Sequence, residues 1–435
     1  MPRWLYSLLW WLALPLVLGR LWWRGRREPG YRANLRERLG RVDAALRADP
    51  ARPTIIVHAV SVGETRAAEP LVLALLAAWP SCRILLTHMT PTGHATGRAL
   101  FAAQIAAGRV LQAYLPYDTG FMVGRFLNRV APRACILIET EVWPNLIHGC
   151  AARGVPVMLA NARLSERSLR RGLRLKGLMT DAARAITLVA AQTDGDAARI
   201  ASLGAPRVAV TGSIKFDVVP PQAALDTGAA LRRRIGTRPV FLCASTREGE
   251  EPLILDAWLN AQDRPPDALL LLVPRHPQRF GEVAEMAGQR GLRVMRRSAL
   301  PLLDEGEEQG VPVAADVLLG DSMGEMFAYY AACDCAYVGG SLLPLGGQNL
   351  IEACALGKPV LVGEHTFNFL QATEEAVAAG AALRVPDAAA LVAAASALLR
   401  DAPRRARMGA QALAFANRHR GATARTVELL RQVID

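Results

Sequence analysis

Carboxylates at predicted strand ends are the first residues in this chain that could do chemistry. Glu64 lies in His58-Ala59-Val60-Ser61-Val62-Gly63-Glu64-Thr65, between the β-branched run Thr54-Ile55-Ile56-Val57 and a Leu- and Ala-rich stretch from Ala67 to Ala78. Continuous apolar runs of that kind mark buried parallel strands, and the later stretch reads as a helix, so Gly63 and Glu64 fall where strand hands over to helix. Ligands of open α/β sheets collect beyond the carboxyl ends of the strands. A carboxylate there is either a first-turn residue facing the helix dipole or a catalytic group. Glu139-Thr140-Glu141-Val142-Trp143-Pro144-Asn145 places two more carboxylates and an indole at another strand end, where Pro144 equally suits a first helical turn.

Cationic and glycine-rich strand ends complete the set. In Asn161-Ala162-Arg163-Leu164-Ser165, Ser165 can cap a helix while Arg163 can meet an anion. Lys176, Lys215 and Lys358 are the only lysines beside 48 arginines, which marks them as positions where a planar guanidinium does not serve. Thr87 to Gly93 closes a strand in hydroxyls and glycine, a composition shared by ligand-lining loops and ordinary turns. Further on, Pro274-Arg275-His276-Pro277, Gly320-Asp321-Ser322-Met323-Gly324-Glu325-Met326, Gly339-Gly340-Ser341 and Gly346-Gly347-Gln348-Asn349 each follow an apolar run. Glycines ahead of a helix let backbone N–H groups reach a phosphate, and Glu352 in the helix that follows can accept from ribose hydroxyls. Several such ends in one half favour a sugar-nucleotide site.

The elements that must hold these residues are read from the alternation. Apolar runs at 54–60, 83–88, 110–114, 134–139, 155–160, 187–191 and 207–211 alternate with helical stretches. After Val219-Pro220-Pro221 the pattern resumes at 239–244, 268–273, 292–296, 316–319, 335–338 and 359–362, then ends in helix from a capping Asp387. This is the signature of two doubly wound parallel sheets. The expected division is an anchor and basic flank over 1–30, a Rossmann-like domain over 31–213, a linker over 214–238 and a second Rossmann-like domain over 239–435. Glu305 to Gly310 reads as a polar loop.

Residues 4–19 are apolar and Trp-rich, resume at Leu21-Trp22-Trp23, and are followed by Arg24, Arg26, Arg27, Arg32, Arg36, Arg38 and Arg41. Residues 1–50 hold ten Arg against four Asp or Glu, half of the chain's net charge of +12. Length near a spanning helix, Trp at both ends and flanking arginines predict a membrane anchor, single span or monotopic, with the rest of the chain on the cytoplasmic side. The arginines crowd at that end rather than forming a stripe interleaved with aromatics, so a nucleic-acid partner is not expected. Seven scattered cysteines without framework spacing predict reduced thiols, and Cys333-Asp334-Cys335 lacks the second pair that a zinc site needs.

Taken together, the stretches His58 to Glu64, Glu139 to Asn145, Asn161 to Ser165, Gly212-Ser213-Ile214-Lys215-Phe216-Asp217, Pro274 to His276, Ser322 to Met326 and Gly339 to Glu352 resemble the Kdo transferases. So does Tyr31 to Gly40 after the anchor, and the match covers nearly the whole chain in order. The resemblance implies the GT-B plan, two Rossmann-like domains facing a cleft. It also implies transfer of 3-deoxy-D-manno-octulosonic acid (Kdo) from CMP-Kdo to a lipid A precursor at the cytoplasmic face of the inner membrane. CMP-Kdo is then a co-substrate, and no cofactor or metal is expected. By the same resemblance Glu64 is the general base of an inverting transfer, with Glu139 also catalytic. Ser61, Gly63, Arg163 and Lys215 lie toward acceptor or sugar, and Arg275, His276, Ser322, Met323, Gly324, Glu325, Asn349 and Glu352 toward the donor. One departure is Gln348, where the family commonly has His; Gln keeps a donor and an acceptor. The rival readings are a membrane-associated GT-B transferase using a UDP-sugar, a GT-B sugar-nucleotide epimerase, and a non-enzymatic basic binding protein.

Overall fold

The computed structural model describes residues 1–300 and 314–434; the polar loop expected at Glu305–Gly310 lies outside the described residues. The chain forms two compact units, residues 1–217 with 420–435 and residues 218–419.

The first unit carries a parallel sheet of β1 (Thr54–His58), β2 (Arg83–His88), β3 (Val110–Tyr114), β4 (Ala134–Ile138), β5 (Val157–Ala162), β6 (Leu188–Ala191) and β7 (Val208–Val210) in the order β3-β2-β1-β4-β5-β6-β7. Every residue of β1, β2, β4, β5 and β6 is buried, which is why these strands read as unbroken apolar runs. Ile55 stands in register with Ile84 on one side and Ala134 on the other. The strand order reverses between β1 and β4, so the ligand-collecting edge of this sheet is the gap beyond His58 and Ile138.

The second unit carries β8 (Val240–Thr246), β9 (Leu269–Pro274), β10 (Val294–Arg296), β11 (Val317–Leu319), β12 (Cys335–Val338), β13 (Val360–Val362) and β14 (Ala382–Arg384) in the order β10-β11-β9-β8-β12-β13-β14, again all parallel. Its reversal lies between β8 and β12. Gly339 is required there: a Cβ on it would come within 2.4 Å of the Ser245 carbonyl oxygen at the bulged end of β8.

Three differences from expectation have physical causes. Strand β14, Ala-Leu-Arg, is too short and too weakly apolar to register as a strand from composition. The helix after β1 begins at Val62, because Ser61 caps it and Pro70 is accommodated inside it. The stretch 214–238, expected as the linker, spans the boundary between the units, with Ile214–Asp217 a 3-10 turn of the first and Gln222–Ile235 a helix of the second. At the far end, helix Ala422–Ile434 returns to the first unit, where Ala422, Val427 and Leu430 join the core that holds Ile55, Leu71 and Leu75. Asp217 fixes its start by accepting from the N–H groups of Gly421 and Thr423, both at 2.5 Å.

Candidate functional site

In the first unit, the edge between β1 and β4 gathers three carboxylates. Ser61 is the N-cap of helix Val62–Ala78, its Oγ accepting weakly from the Glu64 N–H at 3.5 Å. The Glu64 carboxylate reaches back to accept from the Val60 N–H at 2.6 Å, nearly a capping box. Glu64 is therefore a helix-start residue in geometry. Burial raises its carboxyl pKa; the bond to Val60 opposes that, and the charge of Glu139 adds to it. Gly63 is exposed with open space around it, since a Cβ there would meet nothing nearer than Ser61 Oγ at 4.0 Å. Nothing in the chain's own packing demands that glycine.

Glu139 follows β4 directly and is 6% exposed, with φ at +62°. A non-glycine residue in the left-handed region costs of order 1–3 kcal/mol and persists only where its surroundings enforce it. Those surroundings are cationic: Lys215 Nζ lies 2.7 Å and Arg163 Nε 3.4 Å from the carboxylate. Lys215 is delivered by a second left-handed residue, Asn161, φ +53°, whose Oδ1 accepts from the Ile214 N–H at 3.2 Å. Glu139, Arg163 and Lys215, all three among the expected site residues, thus form one ion-paired group from three separate stretches, with Asn161 bracing it.

Glu141 stands beside this group. Its carboxylate accepts from the Trp143 indole N–H at 2.8 Å, and burial, then the charge of Glu64, pushes its pKa up to about 7. The ring of Trp143 in turn meets His58 edge to face, centroids 5.6 Å apart. His58 itself is buried, bonded to Thr87 Oγ1 at 2.9 Å, and lowered to about 3 by burial, so it is neutral at physiological pH. Neighbouring His88 bonds to the Ala59 carbonyl oxygen at 2.9 Å and Thr90 caps helix Pro91–Leu100. The stretch Thr87–Gly93 is accordingly built as a turn and core, whatever else it touches.

Asp118, missed from sequence, anchors the carboxylate loop from behind. Its carboxylate accepts from the N–H groups of Asn145 and Leu146 at 3.0 and 2.9 Å, and Asn145 Nδ2 donates to Ser7 Oγ at 3.0 Å. Ser7 lies in helix Arg3–Arg24, so the predicted anchor is tied to the loop bearing Glu139 and Glu141.

In the second unit, Arg275 and His276 follow β9 as expected, and the Arg275 N–H donates to the Thr246 carbonyl at 2.9 Å, linking the ends of β8 and β9. His276 is lowered by desolvation first and then by Arg247, Arg275 and Arg279, which marks an electropositive corner. Arg247 directly follows β8 but was not anticipated, because Ser245 and Thr246 separate it from the apolar part of that strand. Arg279 is committed to the fully buried Glu251 at 2.8 Å. Also missed was Glu250, 0% exposed, whose carboxylate accepts from Tyr337 Oη at 2.6 Å and from the N–H groups of Arg247, Gly340 and Leu342 at 2.9, 2.7 and 3.1 Å. That single group gathers the glycine-rich loop after β12. One of two adjacent glutamates in a helical first turn carries no sequence signal for it.

The other expected donor residues are less open than their types suggested. Glu325 is held by Arg297 at 2.9 Å, by Ser322 Oγ and by Tyr329 Oη, while Met323 is exposed and Gly324 adopts φ +86°. Asn349 Oδ1 accepts from the Ile351 N–H at 3.0 Å, and its Nδ2 donates to Glu352 Oε1 at 3.1 Å. Helix Ile351–Ala355 is only five residues long, so its dipole is a weaker anion device than the expected longer helix. Cys333 and Cys335 are buried thiols, and no cluster of three or more His, Cys, Asp or Glu suited to a metal occurs among the described residues.

Comparison with known proteins bears on both units. A family model for 3-deoxy-D-manno-octulosonic-acid transferase (kdotransferase) matches residues 33–218, and one for glycosyl transferases group 1 matches residues 302–415. A 3-deoxy-D-manno-octulosonic acid transferase of Bordetella pertussis is 48% identical over 434 residues, 99% of each chain. One of Haemophilus influenzae is 38% identical over 446 residues, covering 100% of this chain and 99% of that protein. Among solved structures, UDP-GlcNAc 2-epimerase from Neisseria meningitidis, bound to UDP-GlcNAc, aligns with 87% of this chain and 100% of its own at TM-score 0.56 and 15% identity, a likeness of fold.

Proposed function

This chain belongs to the 3-deoxy-D-manno-octulosonic acid (Kdo) transferase family and is a glycosyltransferase of lipopolysaccharide synthesis; from that premise we propose that it moves Kdo from CMP-Kdo to a lipid A precursor with inversion. The observation that carries the reading is the carboxylate group at the reversal of the first sheet, where Glu64 has no cationic partner among the described residues while Glu139 is held between Lys215 and Arg163. An inverting transfer needs one carboxylate to take the acceptor hydroxyl's proton as its oxygen attacks the anomeric carbon. Burial beside Glu139 makes Glu64 more basic than an ordinary glutamate. Lys215 and Arg163 offset the charge of Glu139 and so limit the repulsion that Glu64 feels. The bare backbone of Gly63 leaves room for the acceptor beside Glu64.

Donor recognition is assigned to the second unit. Arg275, with Arg247 and His276 beside it, supplies positive charge for the CMP phosphate and for its departure as an anion, which makes a general acid dispensable. Ser322 to Glu325 and Asn349 to Glu352 shape the loops around that corner.

The helix Arg3–Arg24 is long and apolar enough to cross a membrane. Its contacts argue that it lies along the surface instead. Trp10 stacks on Tyr117 with centroids 5.6 Å apart, Leu14 packs with Tyr117 and Met122, and Val17, Leu18 and Leu21 join the same cluster. From Ser7 to Leu21 roughly 20 Å of helix is committed to the first unit, at 1.5 Å per residue. Trp4, Leu8, Leu9, Trp11, Leu12 and Leu16 face outward. We therefore assign a monotopic anchor on the cytoplasmic face of the inner membrane.

The test is to incubate purified protein with CMP-Kdo and a tetraacylated lipid A precursor and weigh the lipid. A mass gain of one or more Kdo units is expected. Unmodified lipid, with transfer instead from a UDP-sugar, would overturn the donor and acceptor assignment.

A further inference from the structure

The stretch from Arg163 to Lys176 holds six cations, Arg163, Arg167, Arg170, Arg171, Arg174 and Lys176, against the one acid Glu166. It folds as helix Glu166–Gly172 and the 3-10 turn Leu173–Leu175, then leads into helix Lys176–Ala185. Arg163 turns inward to Glu139, but the other five cations, Arg167, Arg170, Arg171, Arg174 and Lys176, are all exposed, and the pair of Arg170 with Glu166 is long, 3.9 Å, with both side chains about three-quarters exposed. Between those cations two large apolar side chains also face out, Leu173 at 42% and Leu175 at 43% exposure. Burying an apolar residue here would cost the neighbouring arginines their water; leaving both out together suits a partner that is apolar inside and anionic at its face.

The place of this segment supports that partner. The start of the chain lies against it, for a Cβ on Gly177 would stand 3.4 Å from the Met1 nitrogen. The anchor helix and helix Lys176–Ala185 both pack on helix Pro144–Ala151. Beside the anchor's outward Trp11, Phe121 is 64% exposed with ring centroids 6.5 Å apart. Outward apolar surface thus runs from the anchor onto the unit and adjoins the basic segment.

We infer that residues 167–176 form a second membrane contact of the first unit, with Leu173 and Leu175 entering the interfacial layer and the arginines binding anionic lipid headgroups of the same leaflet. Each basic residue near an anionic surface strengthens binding by about fivefold, less when several share one patch. The inference rests on the reading that this chain works at a membrane, and the experiment separates the two. Full-length protein is floated with phosphatidylcholine vesicles, with and without phosphatidylglycerol, and compared with Arg167→Gln/Arg170→Gln/Arg171→Gln/Arg174→Gln. Failure of the wild type to float with either vesicle would overturn the membrane reading. With that reading intact, the variant is expected to keep its binding to neutral vesicles and lose at least about tenfold of the anionic preference. An unchanged preference would overturn the segment's role. As an independent readout, Leu173→Cys carrying an environment-sensitive dye should brighten on anionic vesicles, and a dye that stays as in water would equally refute insertion.

Discussion

Replacing Glu64 by Gln separates the two roles its position allows. Gln keeps an oxygen to accept from the Val60 N–H, now 2.6 Å from the carboxylate, and the Ser61 cap is untouched. Losing the charge weakens that bond, by under about 1 kcal/mol for a first-turn carboxylate. Removing a carboxylate from this cluster offsets part of that cost, since the charge of Glu139 raises the pKa of Glu64 and that of Glu64 raises the pKa of Glu141. The variant should therefore melt close to wild type and bind CMP normally. Its proton-accepting capacity is gone, and a positioned base is worth about 10²–10⁴ in rate. A single-turnover measurement at saturating CMP-Kdo, with lipid product followed by mass, reads that loss directly. Glu64→Ala serves as the complement, because it removes the bond to the Val60 N–H altogether and should cost an additional ~0.5–1.5 kcal/mol of stability. If Glu64→Gln reacts within about threefold of wild type, far above the range expected for a lost base, the base assignment fails and Glu139 and Glu141 become the candidates.

Glu141, at a pKa of about 7 against 4.5 unfolded, is held better protonated than ionised, so its contribution to stability is complete below pH 4.5 and is lost as pH rises through 7. Urea unfolding across that window should show a decline on the order of 1–3 kcal/mol, after allowing for its partial exposure, that Glu141→Gln flattens. Lys215→Met removes the nearer cation from the buried Glu139 and should cost about 2–4 kcal/mol by calorimetry; Glu139→Gln/Lys215→Met should recover much of it, and a simple sum of the two losses would show the pair is not coupled. Arg275→Ala should weaken CMP binding about tenfold to 150-fold, the worth of a charge-assisted bond, and an unchanged dissociation constant in isothermal titration would remove Arg275 from the donor site.

What was legible beforehand follows from where information is local. The apolar runs named thirteen of the strands because a parallel strand buried on both faces must be apolar throughout, and Glu64 and Glu139 were visible as polar residues ending such runs. The ion-paired group was not, since its assembly depends on Asn161 and Glu139 both adopting left-handed backbone and on Asn161 steering Lys215 from fifty residues away. Scarcity of lysine marked Lys215 as unusual, yet the same reasoning marked Lys358, whose ammonium donates to the backbone carbonyls of Ala331 and Cys333. Glu250 escaped notice for a different reason. Its four donors come from both sides of the sheet reversal, a juxtaposition that exists only after β8 and β12 pair.

The closing helix has a consequence for how the protein is made. Translation finishes the segment from Thr54 to Asp217 long before Ala422–Ile434 emerges, with residues 218–419 synthesised in between. Throughout that interval the apolar side of helix Val62–Ala78 lacks the Ala422, Val427 and Leu430 side chains that complete its core. The unit bearing Glu64 is thus assembled last although most of it is translated first. A stop codon within residues 420–435 would strike that unit, while leaving the sequence of the 218–419 unit whole.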